Sequence, residues 1–202
     1  MCDVKFYCCY LVGSIENISI IYICMGSLFS RPIPRTLILG LSGAGKTAIL
    51  YWYKDKTFRQ SIPTIGFNVE SIIYKENEFC FWDVNGGIGI APLWHHYYQD
   101  QKVAAIIYVF NGSNSQKEMN ELEIPTFHQF LLDPKVGSWP ILIYKNKSDV
   151  HNYFAQEEFF EMINCDALRK KNYHIQQCSA LTGEGIFEGL DWLSDQILSQ
   201  KK

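Results

Sequence analysis

Gly40-Leu-Ser-Gly-Ala-Gly-Lys-Thr47 stands between the apolar run Thr36-Leu-Ile-Leu39 and the helix-like opening Lys46-Thr-Ala-Ile-Leu-Tyr51. A strand, a glycine-rich loop and a helix in that order form the local context a phosphate-binding loop requires. The residue types account for the chemistry. Glycines let successive backbone N–H groups turn towards phosphate oxygens, and the following helix N-terminus adds a favourable dipole. Lys46 reaches the outer phosphates, and the Thr47 hydroxyl binds Mg2+. By itself the loop leaves adenine and guanine nucleotides both open.

Working outward, the chain from Arg35 alternates strand and helix signals. Phe67 to Tyr74 and Glu78 to Asp83 are β-like runs joined by a polar turn around Lys75-Glu-Asn77, which predicts a hairpin. Ala104 to Phe110, Ile141 to Tyr144 and Tyr173 to Cys178 are further apolar or β-branched runs. The segments between them are long enough for crossover helices, so the pattern predicts an α/β fold with a mostly parallel sheet covered on both faces.

The run Ile141-Leu-Ile-Tyr144 ends close to Asn146-Lys-Ser-Asp149. That places the second motif at the carboxyl end of a strand, where open α/β sheets bind ligands. A carboxylate at Asp149 accepts two hydrogen bonds from guanine, at N1–H and the exocyclic amine, and adenine cannot offer that pair. Leaving such a group unpaired against adenine costs a few kcal/mol. A four-residue motif of this kind is weak alone. It gains its force from following Lys46 by about a hundred residues in the same domain.

From Arg35 to Leu198 the sequence resembles the Arf and Arf-like branch of the Ras superfamily of small GTPases. The resemblance rests on Pro63-Thr-Ile-Gly-Phe-Asn-Val-Glu70, Trp82-Asp-Val84, Pro92-Leu-Trp94, His96-Tyr97, Asn146-Lys-Ser-Asp149 and Cys178-Ser-Ala-Leu-Thr-Gly-Glu-Gly185. It implies a small G domain over 35–198, built on a six-stranded, mostly parallel sheet with one antiparallel strand. The segments 1–34 and 199–202 are an extension and a tail. It implies GTP or GDP with Mg2+ as ligands, held by Gly40, Ser42, Gly43, Ala44, Gly45, Lys46, Thr47, Ala48, Thr64, Asp83, Gly86, Asn146, Lys147, Asp149, Ser179 and Ala180. Within that set, Thr64 joins Thr47 on Mg2+ when a γ-phosphate is present, Asp83 holds a magnesium-bound water, and the Gly86 amide senses the γ-phosphate. Ser179 and Ala180 support the guanine O6 and the Asp149 side chain, and Lys147 lies along the base plane. Phe67, Trp82 and Tyr97 form an effector surface between the two switches, although aromatic rings of this kind also pack into cores wherever they lie. Effector proteins and an exchange factor are the implied partners of a monomer acting in vesicle or membrane trafficking.

The sequence departs from this family chiefly at two places, with smaller changes in the phosphate-binding loop. Where the second switch usually reads Trp-Asp-Val-Gly-Gly-Gln, this chain has Trp82-Asp-Val-Asn85-Gly86-Gly87. The glutamine that orients the attacking water is replaced by Gly87, and positioning is most of what phosphoryl transfer asks of a protein. Very slow GTP hydrolysis is therefore expected, and a GTP-locked binding scaffold is the alternative to a cycling switch. Gly87 and Gly89 also add backbone freedom to this segment. Ser42 and Gly43 stand where the family often has Asp and Ala, and both are small enough to admit phosphate.

The second departure is N-terminal. Residues 1–24 are rich in Cys and aromatics and precede Met25-Gly-Ser-Leu-Phe-Ser30, which fits an N-myristoylation pattern at Gly26 if synthesis starts at Met25. Pro32 and Pro34 forbid a regular amphipathic helix between Gly26 and the first strand. Membrane contact would then be peripheral and rest on acylation, helped by Arg31 and Arg35. The stretch lacks the basic and apolar regions of a signal peptide, and its nearest apolar run, Ile15 to Met25, is interrupted by Glu16 and Asn17. A cytoplasmic protein, peripheral on Golgi or other endomembranes, is the expected location.

Bulk properties are consistent with that reading and narrow it. A net charge of -3 gives no electrostatic case for nucleic acid as a partner, so phosphate binding must come from local geometry. Seven cysteines without a regular framework point to free thiols in a reducing compartment. His95-His96 resembles a metal pair only superficially, because neighbours on a helix point about 100° apart. Glu157, Glu158 and Glu161 read as a solvated helix face, and Asn111-Gly-Ser-Asn114 is assigned no chemistry.

Overall fold

The apolar run before the glycine-rich loop forms β1 (Arg35–Leu39), and its side chains alternate between two cores. Leu37 and Leu39 face one core and Ile38 the other, as the two-residue period of a strand requires. The structure, a computed structural model, describes residues 33, 35–75, 77–99, 102–150 and 154–200. The expectations for Gly26, the Met25 start and the rest of the N-terminal extension therefore lie outside the described residues, apart from residue 33.

The hairpin forms as expected from β2 (Phe67–Tyr74) and β3 (Asn77–Val84), in antiparallel register from Phe67 opposite Val84 to Tyr74 opposite Asn77. Its turn is tighter than the sequence suggests, with Asn77 already in the strand and Lys75 left-handed at φ 51°. Three further strands follow: β4 (Val103–Asn111), β5 (Ile141–Asn146) and β6 (Tyr173–Gln177). The six strands make one sheet in the order β2-β3-β1-β4-β5-β6, and every pairing except β2 with β3 is parallel. All six residues of β5 are buried, the burial that a parallel strand covered on both faces shows.

Helices α1 (Lys46–Asp55) and α7 (Ile186–Ser199) cover one face. Ile49, Leu50 and Tyr53 from the first, and Ile186, Leu190 and Leu193 from the second, pack on Ile38, Phe81, Ile107 and Leu142. The opposite face is covered by α2 (His95–Tyr98), α3 (Gln116–Glu118), α4 (Ile124–Leu132), α5 (Gln156–Ile163) and α6 (Asp166–Arg169). There Phe127, Phe130, Phe159 and Leu168 pack on Leu37, Tyr108, Phe110 and Ile143. Glu157, Glu158 and Glu161 are exposed on α5, so the solvated face read from sequence is present.

One element had no clear signal. Met119–Glu123 forms a π-helical turn between α3 and α4. Ser115 and Glu118 form a reciprocal capping box at the start of α3 ahead of it, and Pro125, which lacks an N–H, sits just beyond it. A proline removes a helical donor, so a change of helical register there is less costly.

Candidate functional site

The carboxyl ends of β1, β3, β4 and β5 bring Gly40, Asp83, Asn111 and Asn146 to one rim of the sheet. At that rim the loop from Gly40 to Gly45 leads into α1, with Gly45 in a left-handed conformation at φ 99°. A Cβ on Gly45 would lie 2.2 Å from the Asn146 Nδ2, so both its conformation and its neighbour require glycine. Ala44 and Ala48 are buried beside it.

Lys46 is buried, and its ammonium donates to the Gly40 carbonyl at 2.9 Å and the Leu41 carbonyl at 3.0 Å. Burial lowers its pKa, while the Asp83 and Glu123 carboxylates oppose that shift. The ammonium is thus held across the mouth of the loop by carbonyls alone, which a phosphate oxygen can supplement.

Three oxygen side chains converge behind it. The Thr47 hydroxyl donates to Asp83 Oδ2 at 2.6 Å, and Thr64 Oγ1 lies 3.1 Å from Thr47 Oγ1 and 3.4 Å from Asp83 Oδ2. Asp83 is fully buried, and its Oδ1 has no hydrogen-bond partner among the described residues. Burial raises its pKa, with the Thr47 bond, the Lys46 charge and the Thr64 bond opposing. Two hydroxyls and a carboxylate with an unsatisfied oxygen form a hard donor set suited to Mg2+, which Thr47 and Thr64 would hold directly and Asp83 through water. In that role the cation would neutralise phosphate charge.

The other end of the rim, where the sequence expects the base, is assembled around Asn146. Its Nδ2 donates to the Ala44 carbonyl at 2.7 Å, and its Oδ1 accepts from the Ala180 N–H at 2.8 Å. Lys147 next to it is left-handed at φ 71°, a conformation that is unfavourable for a non-glycine residue and must be enforced by its surroundings. The exposed Asp149 carboxylate accepts from the Ser179 hydroxyl at 2.5 Å, while that hydroxyl accepts the Leu181 and Thr182 amides at 3.2 Å each. Ser179 therefore aims one carboxylate oxygen and leaves the rest of Asp149 available to a base.

The second switch packs directly on the phosphate-binding loop. Ser42 N–H donates to the Gly86 carbonyl at 2.8 Å, and a Cβ on Gly86 would fall 2.3 Å from the Gly40 carbonyl oxygen. The aromatic trio is brought together: Phe67 and Trp82 stack at 4.9 Å between centroids, and Tyr97 meets Phe67 edge-on at 5.8 Å. Trp82 is only 2% exposed in this arrangement, with the Arg35 guanidinium 4.5 Å over its ring, so Phe67 and Tyr97 are the members that reach solvent.

Two participants were not singled out from sequence. Asn85 joins the two switches through its side chain, donating from Nδ2 to the Thr64 carbonyl at 2.8 Å and accepting the Gly87 amide on Oδ1 at 2.7 Å. Glu123 is buried beneath the rim, accepts from Asn114 Nδ2 at 3.1 Å, and has its Oε2 without a hydrogen-bond partner among the described residues. Burial pushes its carboxyl up to about 7 against the pull of Lys46 and of hydrogen bonds from the Asn111 backbone and the Asn114 side chain. A sequence signal for it exists: Met119, Glu123 and Phe127 recur at four-residue spacing on one buried face.

Comparison with known proteins agrees with this geometry. A sequence model of the ADP-ribosylation factor family matches residues 22–197. Among solved structures, the Arl6 BBS3 small GTPase from Trypanosoma brucei with bound nucleotide analogue GppNp is similar at a TM-score of 0.71. That match has 24% sequence identity and covers 82% of this chain and 98% of the other, which establishes likeness of fold.

Proposed function

The chain belongs to the ADP-ribosylation factor family of GTP-binding switches, and on that premise we propose that it cycles slowly between GTP and GDP in membrane or vesicle traffic. The observation that carries the proposal is the Asn146 side chain, which ties the phosphate-binding loop to the Ser179-Ala180 loop so that phosphates and base are read as one ligand. Thr47, Thr64 and Asp83 would hold Mg2+ at the outer phosphates, and the Gly86 amide would sense the third phosphate. Asp149 would select guanine. Effectors and an exchange factor would engage the switch regions, with Phe67 and Tyr97 on the accessible side and Trp82 behind them.

Hydrolysis requires a group that orients water for in-line attack on the terminal phosphorus. Gly87 has no side chain to do so, which supports slow turnover. Asn85 bonding to both switches favours a second reading, a GTP-locked scaffold that presents its effector surface without useful cycling. Attachment at Gly26 and a cytoplasmic, endomembrane-peripheral location belong to the same proposal. No helix among the described residues is long and apolar enough to cross a membrane.

Nucleotide extraction from the purified protein, followed by chromatography, tests the reading. Guanine nucleotide at near-equimolar amount supports it, with GDP favouring the cycling switch and GTP the locked scaffold. Adenine nucleotide or an empty protein that fails to load with GTP and Mg2+ would overturn it.

A further inference from the structure

The Asn85 carboxamide spans the two segments that must move together if this chain distinguishes a nucleoside triphosphate from a diphosphate. One arm donates to the Thr64 carbonyl, and Thr64 is the residue whose hydroxyl reaches Thr47 and Asp83. The other arm accepts the Gly87 amide, immediately after the glycine that packs on the phosphate-binding loop. The Asn85 backbone is anchored independently. Its N–H donates to the Gly66 carbonyl at 3.0 Å, and its carbonyl accepts the Trp94 indole N–H at 3.0 Å. The side chain is therefore presented from a fixed backbone, and its two bonds align Thr64 with the cation site and Gly86 with the terminal-phosphate site at once.

We infer that Asn85 is a positioning residue that latches the first switch to the second and so raises the preference of this chain for guanosine triphosphate over guanosine diphosphate. Both latch bonds run between protein atoms of the two switches, so they form only when the two segments lie together and favour that closed arrangement without touching the nucleotide. A contact that stabilises only the closed arrangement of the switches increases the fraction competent to bind a triphosphate, and apparent affinity scales with that fraction. A diphosphate, which makes no contact with Thr64 or Gly86 through a third phosphate, gains little from the same closure. Two side-chain hydrogen bonds at a partly buried site are sufficient for about a ten-fold effect.

The latch also bears on position 87. A Cβ there would come 3.2 Å from Asn85 Oδ1, tighter than ordinary contact, so a side chain at 87 and the latch compete for the same space. Asn85 and Gly87 thus work as a pair: the glycine leaves room for the carboxamide, and the carboxamide takes the amide of the glycine.

This inference rests on the guanine-nucleotide reading above, and its test keeps the two apart. Dissociation constants for GDP and for guanosine 5′-(β,γ-imido)triphosphate are measured with Mg2+ on the full chain, for wild type, Asn85→Ala and Asn85→Asp. Hydrogen exchange of the Gly87 amide is followed in each, with thermal melts to establish that the variants fold. Asn85→Ala is expected to weaken the triphosphate analogue about ten-fold relative to GDP and to speed Gly87 exchange by a similar factor. Asn85→Asp keeps an acceptor for Gly87 but loses the donor to Thr64, so it should lose the triphosphate preference while retaining Gly87 protection. Equal weakening of both nucleotides, or a ratio unchanged within two-fold, overturns the latch. If wild type binds neither nucleotide the guanine reading fails, and Gly87 exchange alone then decides: unchanged exchange in Asn85→Ala refutes the bond between the switches.

Discussion

The Asn146 side-chain amide donates to the Ala44 carbonyl across 2.7 Å, joining the end of β5 to the phosphate-binding loop 102 residues earlier. The same side chain accepts the Ala180 amide, so one residue links three loops that the sequence keeps apart. Replacing it leaves a buried carbonyl and a buried N–H without partners. Asn146→Ala is therefore expected to destabilise the protein by about 2 kcal/mol and to weaken guanine-nucleotide affinity at least ten-fold. Denaturant unfolding and nucleotide titration check the two effects. Unchanged affinity in a folded variant would separate Asn146 from the site.

Under the proposed function Asp149, whose carboxylate accepts from the Ser179 hydroxyl, would select the base. An amide in its place offers one acceptor and one donor, which suits a purine with N1–H and a carbonyl at C2. Asp149→Asn should lose GDP affinity by about 100-fold and gain affinity for xanthosine diphosphate, because a mispaired polar group in such a site is heavily penalised. Competition between the two diphosphates measures the exchange of preference.

Glu123 gives a pH dependence with a definite sign. Burial raises its folded-state pKa to about 7 from the ordinary 4.5 of a glutamate. Between those values the folded protein holds a proton that the unfolded chain has released, so stability falls as pH rises through this window and levels off above 7. Glu123→Gln keeps the shape and removes the ionisation. The variant should match or trail wild type below pH 5 and exceed it at pH 8 by on the order of 2 kcal/mol. Denaturant unfolding at the two pH values tests this, and a wild-type advantage that grows with pH would contradict it.

Much of this site was legible in sequence because its parts are local. Gly40 to Thr47 is a strand-loop-helix unit whose glycines are needed where the chain turns, and Asn146 to Asp149 is contiguous at a strand end. The six strands were legible from apolar runs, with boundaries displaced by one or two residues, at Val103 and through Lys145 and Asn146 because burial continues past the run, and at Asn111 because the strand continues into a half-buried residue. What escaped depends on tertiary register. The Asn85 carboxamide meets a carbonyl 21 residues earlier, and nothing in Val84-Asn85-Gly86 indicates which atom it will face. The π-turn at Met119–Glu123 has no propensity signature of its own, since it is defined by hydrogen-bond register and not by residue type. The resemblance leaves Trp82 open between effector surface and core, and its burial follows from the packing of β3 beneath Arg35 and Phe67.

The chain carries a nearly complete set of GTP-site residues, and Gly87 offers no side chain to position water. Single-turnover cleavage of GTP with Mg2+ distinguishes these two features, comparing wild type with Asn85→Gly/Gly87→Gln, which restores Gly-Gly-Gln without a competing side chain at position 85. Restoring the positioning group is expected to raise the rate about ten-fold or more, with wild type close to the uncatalysed background. A wild-type rate equal to that of the double variant, with both proteins folded and loaded with GTP, would contradict the account.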